Sequence, residues 1–233
     1  MFEHIDENYA RLRAQIAEAA VAAGRDPTSV RLMAVTKTQS VAAINHVLAL
    51  GVDLIGENRV QEWLEKRDAL QLDGVEVHLI GHLQSNKVRL IVPGVQCIQS
   101  VDSVRIAQEI SRRAANAGIV QDVLCEVNIG QEESKFGFTL SSLEEGLADI
   151  ARLPHLRVQG LMTVAPYTGN AAENRANFDA LHTLYQKFRA QERDNIQMRV
   201  LSMGMSDDFR EAIAAGSTLV RVGSALFGQR SVR

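Results

Sequence analysis

The chain predicts a (β/α)8 TIM barrel with an additional N-terminal helix, and three observations point there. Short β-rich apolar runs alternate with helical patterns from one end of the sequence to the other, and the runs number eight. The runs are continuously apolar, as parallel strands become when each crossover lays a helix on the sheet. No Ser/Gly/Pro linker or low-complexity stretch divides the 233 residues, a length that α/β barrels fill as one unit. Residues 1–233 are therefore expected to form a single domain.

A helix from Ile5 to Ala23 precedes the first strand, ended by Gly24 and the turn RDPTS. Strands are expected at Val30 to Lys37, Asp53 to Glu57, Val77 to His82, Gln96 to Ser100, Asp122 to Ile129, Arg157 to Val164, Arg199 to Met203 and Leu219 to Val222. Helices are expected between them at Val41 to Leu50, Arg59 to Leu70, Ser85 to Leu90, Ser103 to Ala117, Leu140 to Leu153, Ala172 to Glu192 and Asp207 to Ala215. The competing architecture is an open doubly wound sheet. It would carry a glycine-rich phosphate turn after strand one, where TKTQS stands instead.

Composition narrows the partners. Apolar residues make up 46% of the chain and charged residues 23%, ordinary values for a soluble globular protein. A net charge of −3 gives no standing attraction to nucleic acid or to an anionic membrane, so neither is expected as a partner. Cys97 and Cys125 lie inside apolar runs and read as small buried hydrophobes, not as a disulfide. The start, MFEHIDENYARLR, lacks the basic and apolar regions of a secretory signal, and no apolar run approaches a transmembrane length, so a cytoplasmic location is expected.

A barrel collects functional groups at the C-terminal ends of different strands. The unusual residues fall there. Strand one ends at Lys37, one of five lysines against twenty arginines; strand two ends at Glu57 and Asn58; strand three ends at His82. Asn128, Met162 and Thr163 end strands five and six, and Ser206 comes after strand seven. Strand eight carries Arg221, then Gly223 and Ser224. Because side chains alternate along a strand, Lys37 shares a face with Met33 and Val35, and points inward if they do.

Barrels often bind phosphate in the loops after strands seven and eight. In SMGMSDDFREAI, Ser206 stands at a helix N-cap position, where backbone N–H groups favour an anion. In RVGSALFG, Gly223 and Ser224 form a small-residue turn that lets amides approach closely. Alone, Ser206 is an ordinary cap and Gly-Ser an ordinary turn; together they suggest a phosphate site. Arg221 is open to two readings: an ion pair with a core carboxylate, or a donor reaching the same mouth, where it would keep a heterocyclic nitrogen unprotonated. His78 and His82 lie roughly 13 Å apart along a strand, too far to share a metal. Lys135, in QEESKFGF, reads as part of a solvated charge cluster, and Asp207 and Asp208 as ordinary helix-start residues.

A lysine opposite a phosphate cradle suggests a Schiff base with a phosphorylated aldehyde, since desolvation makes the amine nucleophilic. Pyridoxal 5′-phosphate (PLP) meets the description: its aldehyde for Lys37, its phosphate for Ser206, Gly223 and Ser224, its ring nitrogen for Arg221. A sugar-phosphate aldolase would use the lysine and the phosphate site but has no heterocycle for the arginine.

The motifs AVTKTQS, IGENRVQE, HLIGHLQSNK, VNIGQEESKFGF, GLMTV, LSMGMSDDF and VRVGSALFG resemble, in order and over nearly the whole chain, those of the pyridoxal phosphate homeostasis proteins, a YggS-like or PROSC family. The resemblance implies a fold like the N-terminal barrel domain of alanine racemase and a covalent PLP aldimine on Lys37. It also implies phosphate contacts at Ser206, Gly223 and Ser224, a ring-nitrogen contact at Arg221, and Asn58, His82 and Met203 at or near the cofactor. Arg59 stands where an aromatic is common, and Ser224 where threonine is frequent.

The implied role is non-enzymatic: a carrier that holds PLP reversibly in vitamin B6 and amino-acid homeostasis, with PLP-dependent apoenzymes as recipients. The alternative is a racemase-like enzyme acting on a small amino acid, which needs a second base opposite the lysine. In alanine racemase that base is a tyrosine from a C-terminal β-domain of the partner subunit. The sequence ends at SVR just after strand eight, and of Tyr9, Tyr167 and Tyr185 only Tyr167 falls on a candidate mouth loop, PYTGNAAEN. The carrier reading is therefore preferred, with a monomer as the expected state. An arginine beside the ring nitrogen also weakens PLP as an electron sink.

Overall fold

A computed structural model describes residues 2–132, 135–166, 168–191 and 195–228. Eight parallel strands close on themselves: β1 (Arg31–Val35), β2 (Leu54–Glu57), β3 (Glu76–Leu79), β4 (Cys97–Val101), β5 (Gln121–Glu126), β6 (Leu156–Met162), β7 (Ile196–Ser202) and β8 (Leu219–Val222). Closure is made by β1, which pairs with β2 through Ala34↔Ile55 and with β8 through Met33↔Arg221. An open doubly wound sheet is thereby excluded.

The expected alternation holds within β1. Leu32 and Ala34 join the apolar layer between strands and helices, whereas Met33 packs inside the barrel with Leu54 and Leu219. A second interior cluster comprises Cys97, Leu124 and Met162. Both cysteines are free and buried, and burial pushes the Cys125 thiol up to about 12, so neither offers a reactive thiolate.

Helices cover the outside: α1 (Glu3–Ala22), α2 (Val41–Ala49), α3 (Val60–Lys66), α4 (Val88–Ile91), α5 (Val104–Ala117), α6 (Leu143–Ile150), α7 (Ala171–Arg189), α8 (Phe209–Ala214) and α9 (Ser224–Phe227). Side-chain capping sets several of their starts. Ser40 accepts from Ala43 N at 3.2 Å, and Asn170 accepts from Ala172 N at 3.0 Å, each taking up a backbone donor the first turn leaves over. Helix α1 buries Ile5, Leu12, Ile16 and Ala20 along one stripe. It is tied to the last segments of the barrel by Asn8 Nδ2 donating to Leu226 O, and just past its end Arg25 Nη1 donates to Ile213 O, both at 3.0 Å.

The differences from expectation concern ends. Strand one stops at Val35, two residues short of Lys37, because the chain turns through Thr38 in the left-handed region, φ +65°. The helix expected at Ser85 to Leu90 is a 3-10 turn, Ser85–Lys87, continued by α4. Helix α7 ends at Arg189; Glu192, where it was expected to end, lies outside the described residues. The four-residue helix α9 was not expected at all.

Candidate functional site

A cavity of about 480 Å3 opens at the C-terminal mouth, and Lys37, Ser206, Arg221, Gly223 and Ser224 all line it. Five of the eight expected site residues are thus brought together, from the ends of β1, β7 and β8. Val35 lines the same cavity. Lys37 therefore continues the inward face that Met33 begins.

What holds Lys37 at the rim lies beneath it. Thr36 is fully buried, and its hydroxyl donates to Glu57 Oε1 at 2.6 Å. Lys66 Nζ donates to Thr36 O at 3.1 Å, approaches Glu57 Oε1 at 3.7 Å and pairs with Glu62, which in turn accepts from the Thr38 amide. Burial pushes the Glu57 carboxyl up, opposed by the Thr36 hydroxyl and Lys66. The residues flanking Lys37 are anchored by this cluster. In the sequence, Glu62 and Lys66 look like an ordinary i,i+4 surface pair; only a lysine side chain 13% exposed reveals otherwise.

The expected cap at Ser206 is corrected. Helix α8 begins two residues later, with Asp208 at its N-cap and Asp208 Oδ1 accepting from Met205 N at 2.6 Å. Ser206 Oγ instead accepts from Ala225 N of α9 at 3.2 Å, joining the loop after β7 to the turn after β8. A hydroxyl that accepts one hydrogen bond retains its own hydrogen to donate. Gly223 has φ −115°, so no left-handed backbone requires glycine there. A Cβ at that position would meet Val35 at 3.5 Å, an ordinary contact. Packing within the protein does not demand this glycine.

Arg221 is 4% exposed. Nη1 donates to Ser202 Oγ and Nη2 to Thr163 O, both at 2.7 Å. Burial pulls its pKa down to about 10, countered by Glu126 and Asp208, so it remains a cation at neutral pH. A guanidinium only donates, so Ser202 Oγ must accept from it and pass its own hydrogen onward. Ser202 Oγ donates to Gln99 Oε1 at 2.7 Å, Gln99 Nε2 meets His78 Nδ1 at 2.8 Å, and His78 Nε2 meets Glu76 Oε2 at 3.3 Å. A hydrogen-bonded line thus runs down the barrel interior through β8, β7, β4 and β3, and it fixes the His78 proton on Nε2. Neither sequence reading of Arg221 included this line.

Beside it, Glu126 at the end of β5 is pushed up to about 7, chiefly by burial and further by the charge of Asp102, with Arg221 opposing. It is a carboxyl that changes charge near neutrality at the barrel mouth.

The other expected residues lie apart from the cavity lining. Asn58 stands just after β2, with Oδ1 buried and lacking a hydrogen-bond partner among the described residues. His82 pairs through Nδ1 with Asp102 Oδ2 at 3.0 Å and stacks on the half-exposed Phe136 ring, centroids 3.5 Å apart. Met203 is fully buried in the apolar layer among the helices. Lys135 pairs with Glu132 at 2.8 Å, in keeping with a charge cluster. Tyr167 lies outside the described residues.

Residues 3–231 match the family model described as alanine racemase, N-terminal domain. The chain is 41% identical over 224 residues to the pyridoxal phosphate homeostasis protein of Aquifex aeolicus, covering 96% of this chain and 97% of that one. It is 38% identical over 230 residues to the protein of the same name from Escherichia coli K12, covering 97% of each. PipY of Synechococcus elongatus, solved with PLP bound, superposes with a TM-score of 0.84 at 36% identity, covering 96% of this chain and 100% of that chain. Alanine racemase from Corynebacterium glutamicum shares the fold, TM-score 0.64 at 20% identity, with 94% of this chain matched to 61% of that chain. With a mouth cavity built from the lysine that follows one strand and the small-residue turns that follow two others, and with this likeness along its length, the chain belongs to the alanine racemase N-terminal domain family and, within it, to the pyridoxal phosphate homeostasis proteins.

Proposed function

We propose that the chain binds PLP at the barrel mouth, as a Schiff base on Lys37, and serves as a reversible carrier in PLP homeostasis, handing the cofactor to PLP-dependent apoenzymes. The observation that carries the reading is the shared cavity, lined at once by Lys37, by Ser206, Gly223 and Ser224, and by the buried Arg221. PLP supplies an electrophilic aldehyde carbon and a dianionic phosphate. Ser206 Oγ, with its hydrogen left over, suits a phosphate oxygen, as does a glycine that packing does not require. Arg221, a donor only, suits a ring nitrogen that accepts. Asn58 Oδ1, buried without a partner among the described residues, is an acceptor a bound ligand or water would satisfy.

Holding and chemistry call for different surroundings. A donor-only group at the ring nitrogen leaves that nitrogen unprotonated, so electron withdrawal from the substrate is weak. This favours storage over catalysis and accords with the names of the full-length relatives. The protein is read as a monomer acting in the cytoplasm, with residues 1–233 as one PLP-binding unit.

The test is to load the protein with PLP, reduce with borohydride and map the phosphopyridoxyl group by mass spectrometry. Label on Lys37, absent in Lys37→Ala with the circular dichroism unchanged, is the expected result. Label on Lys135 in both proteins would refute the assignment. Rapid α-deuterium uptake by L-alanine in deuterated water would replace the carrier by a racemase-like enzyme.

A further inference from the structure

The lower end of the barrel departs from the rule of its fold. Such interiors are packed shut by layers of branched apolar side chains. Here a cavity of about 370 Å3 opens at the N-terminal ends of the strands, remote from the mouth. Its size lies in the range of small-molecule sites.

The lining combines an apolar floor with a polar rim. Leu124, Val200 and Leu219, which belong to the two interior clusters, form the floor. The carboxylates at the rim are already engaged. Asp122 receives Arg157 Nε at 2.6 Å, Arg157 Nη2 at 2.9 Å and Gln159 Nε2 at 3.1 Å. Glu76 receives His78 Nε2 at 3.3 Å and Arg31 Nη1 at 3.1 Å, and these bonds hold its carboxyl down at about 2.

The donors are in surplus. Arg199 has no ion pair or hydrogen bond among the described residues. Gln96 Oε1 is engaged by Val77 N at 2.7 Å, which leaves the amide hydrogens of Gln96 without an assigned acceptor. Carboxylates that each already accept three hydrogen bonds, beside uncommitted arginine and amide donors, favour an anion over a cation. The floor asks for a short apolar body attached to it.

We propose that this cavity is a second small-molecule site, which takes a small monocarboxylate with an apolar body, its carboxylate on Arg199 and Gln96 and its body on Leu124, Val200 and Leu219. The proposal goes beyond PLP binding and does not rest on it. Because the two cavities are at opposite ends of the barrel, both are filled at once without steric competition.

The experiment uses the full chain, with and without PLP, and para-fluorobenzoate as the probe, monitored by fluorine NMR. Saturable binding with a dissociation constant at or below about 1 mM is expected. PLP and inorganic phosphate leave it unchanged, and the neutral methyl ester fails to bind. Arg199→Ala weakens it roughly tenfold, as the loss of a charge-assisted hydrogen bond should, and Arg199→Lys restores part. Arg199 is exposed at the end of the barrel, so these variants keep the fold, which circular dichroism checks. No saturable binding, equal binding of the ester, an unchanged constant in Arg199→Ala, or displacement by inorganic phosphate would each overturn the proposal.

Discussion

Replacing Ser202 by alanine removes one hydroxyl and breaks two hydrogen bonds at once. Arg221 Nη1 loses its acceptor at 2.7 Å and Gln99 Oε1 loses its donor at 2.7 Å. Ser202 and Gln99 are fully buried and Arg221 nearly so, which leaves neither orphan an easy route to solvent. A hydrogen bond to a charged group is worth about 1.5–3 kcal/mol, and a buried acceptor left unsatisfied costs about 1–3 kcal/mol. The expected loss is therefore about 3–5 kcal/mol, a large part of the roughly 5–15 kcal/mol that holds a domain folded. Ser217 is a matched control: it is equally buried, but its hydroxyl reaches only backbone carbonyls, with Met203 O at 2.8 Å. Ser217→Ala should cost about 1 kcal/mol. Urea unfolding at neutral pH, monitored by circular dichroism, compares the two midpoints. Adding Gln99→Leu to Ser202→Ala should recover part of the loss, since removing both partners is cheaper than stranding one. Equal effects of the two serine variants, or no recovery in the double variant, would refute the idea that the interior line is continuous through Ser202 and Gln99.

The geometry carries three further expectations. The Glu126 carboxyl titrates at about 7 when folded against 4.5 in a free chain, so the stability it contributes is complete below 4.5 and is lost as pH rises through about 7. The loss is at most roughly 3 kcal/mol at 1.36 kcal/mol per unit, and Glu126→Gln should flatten it; parallel urea midpoints against pH in the two apoproteins would contradict this. Gly223→Ala should keep the urea midpoint, given the ordinary 3.5 Å contact, yet release PLP faster in dialysis than wild type; equal retention would detach Gly223 from the phosphate. Gly160→Ala should be far more damaging than Gly24→Ala. The first would drive its Cβ into Val200 O, a loss of several kcal/mol, whereas the second meets nothing within 4 Å and costs about 1 kcal/mol of backbone strain, so similar melting temperatures would count against it.

Strand positions were legible because a period of two needs only a few residues to show itself. Met33, Val35 and Lys37 share the inward face as their spacing implies, and one mouth cavity gathers Lys37 with Arg221 and Gly223. Helix ends were less legible. Ser206 and Asp208 are both residue types that favour a helix N-cap, and only the fold decides that Asp208 takes that position, its carboxylate turned back to Met205 N, while Ser206 turns to Ala225. SALF is too short for any helical period, so α9 left no signal. The interior line was invisible for another reason. Gln99 and Ser202 are 103 residues apart, and each looks like an isolated polar position in an apolar run. The cluster under Lys37 was hidden likewise, since burial, not spacing, distinguishes Lys66 from a surface lysine.

The line through the barrel has a parity. Arg221 stands at its upper end and Arg31 at its lower, and a guanidinium can give hydrogen bonds but never receive them. Polarity therefore runs inward from both ends and must reverse somewhere, at a group that receives from both sides. Glu76 is that sink, with one oxygen toward His78 and both within reach of Arg31. The amide orientation of Gln99, the hydroxyl rotamer of Ser202 and the tautomer of His78 are then not three independent settings. They form one setting, fixed by two arginines that never touch, and a single added proton at the sink would leave the whole column one acceptor short.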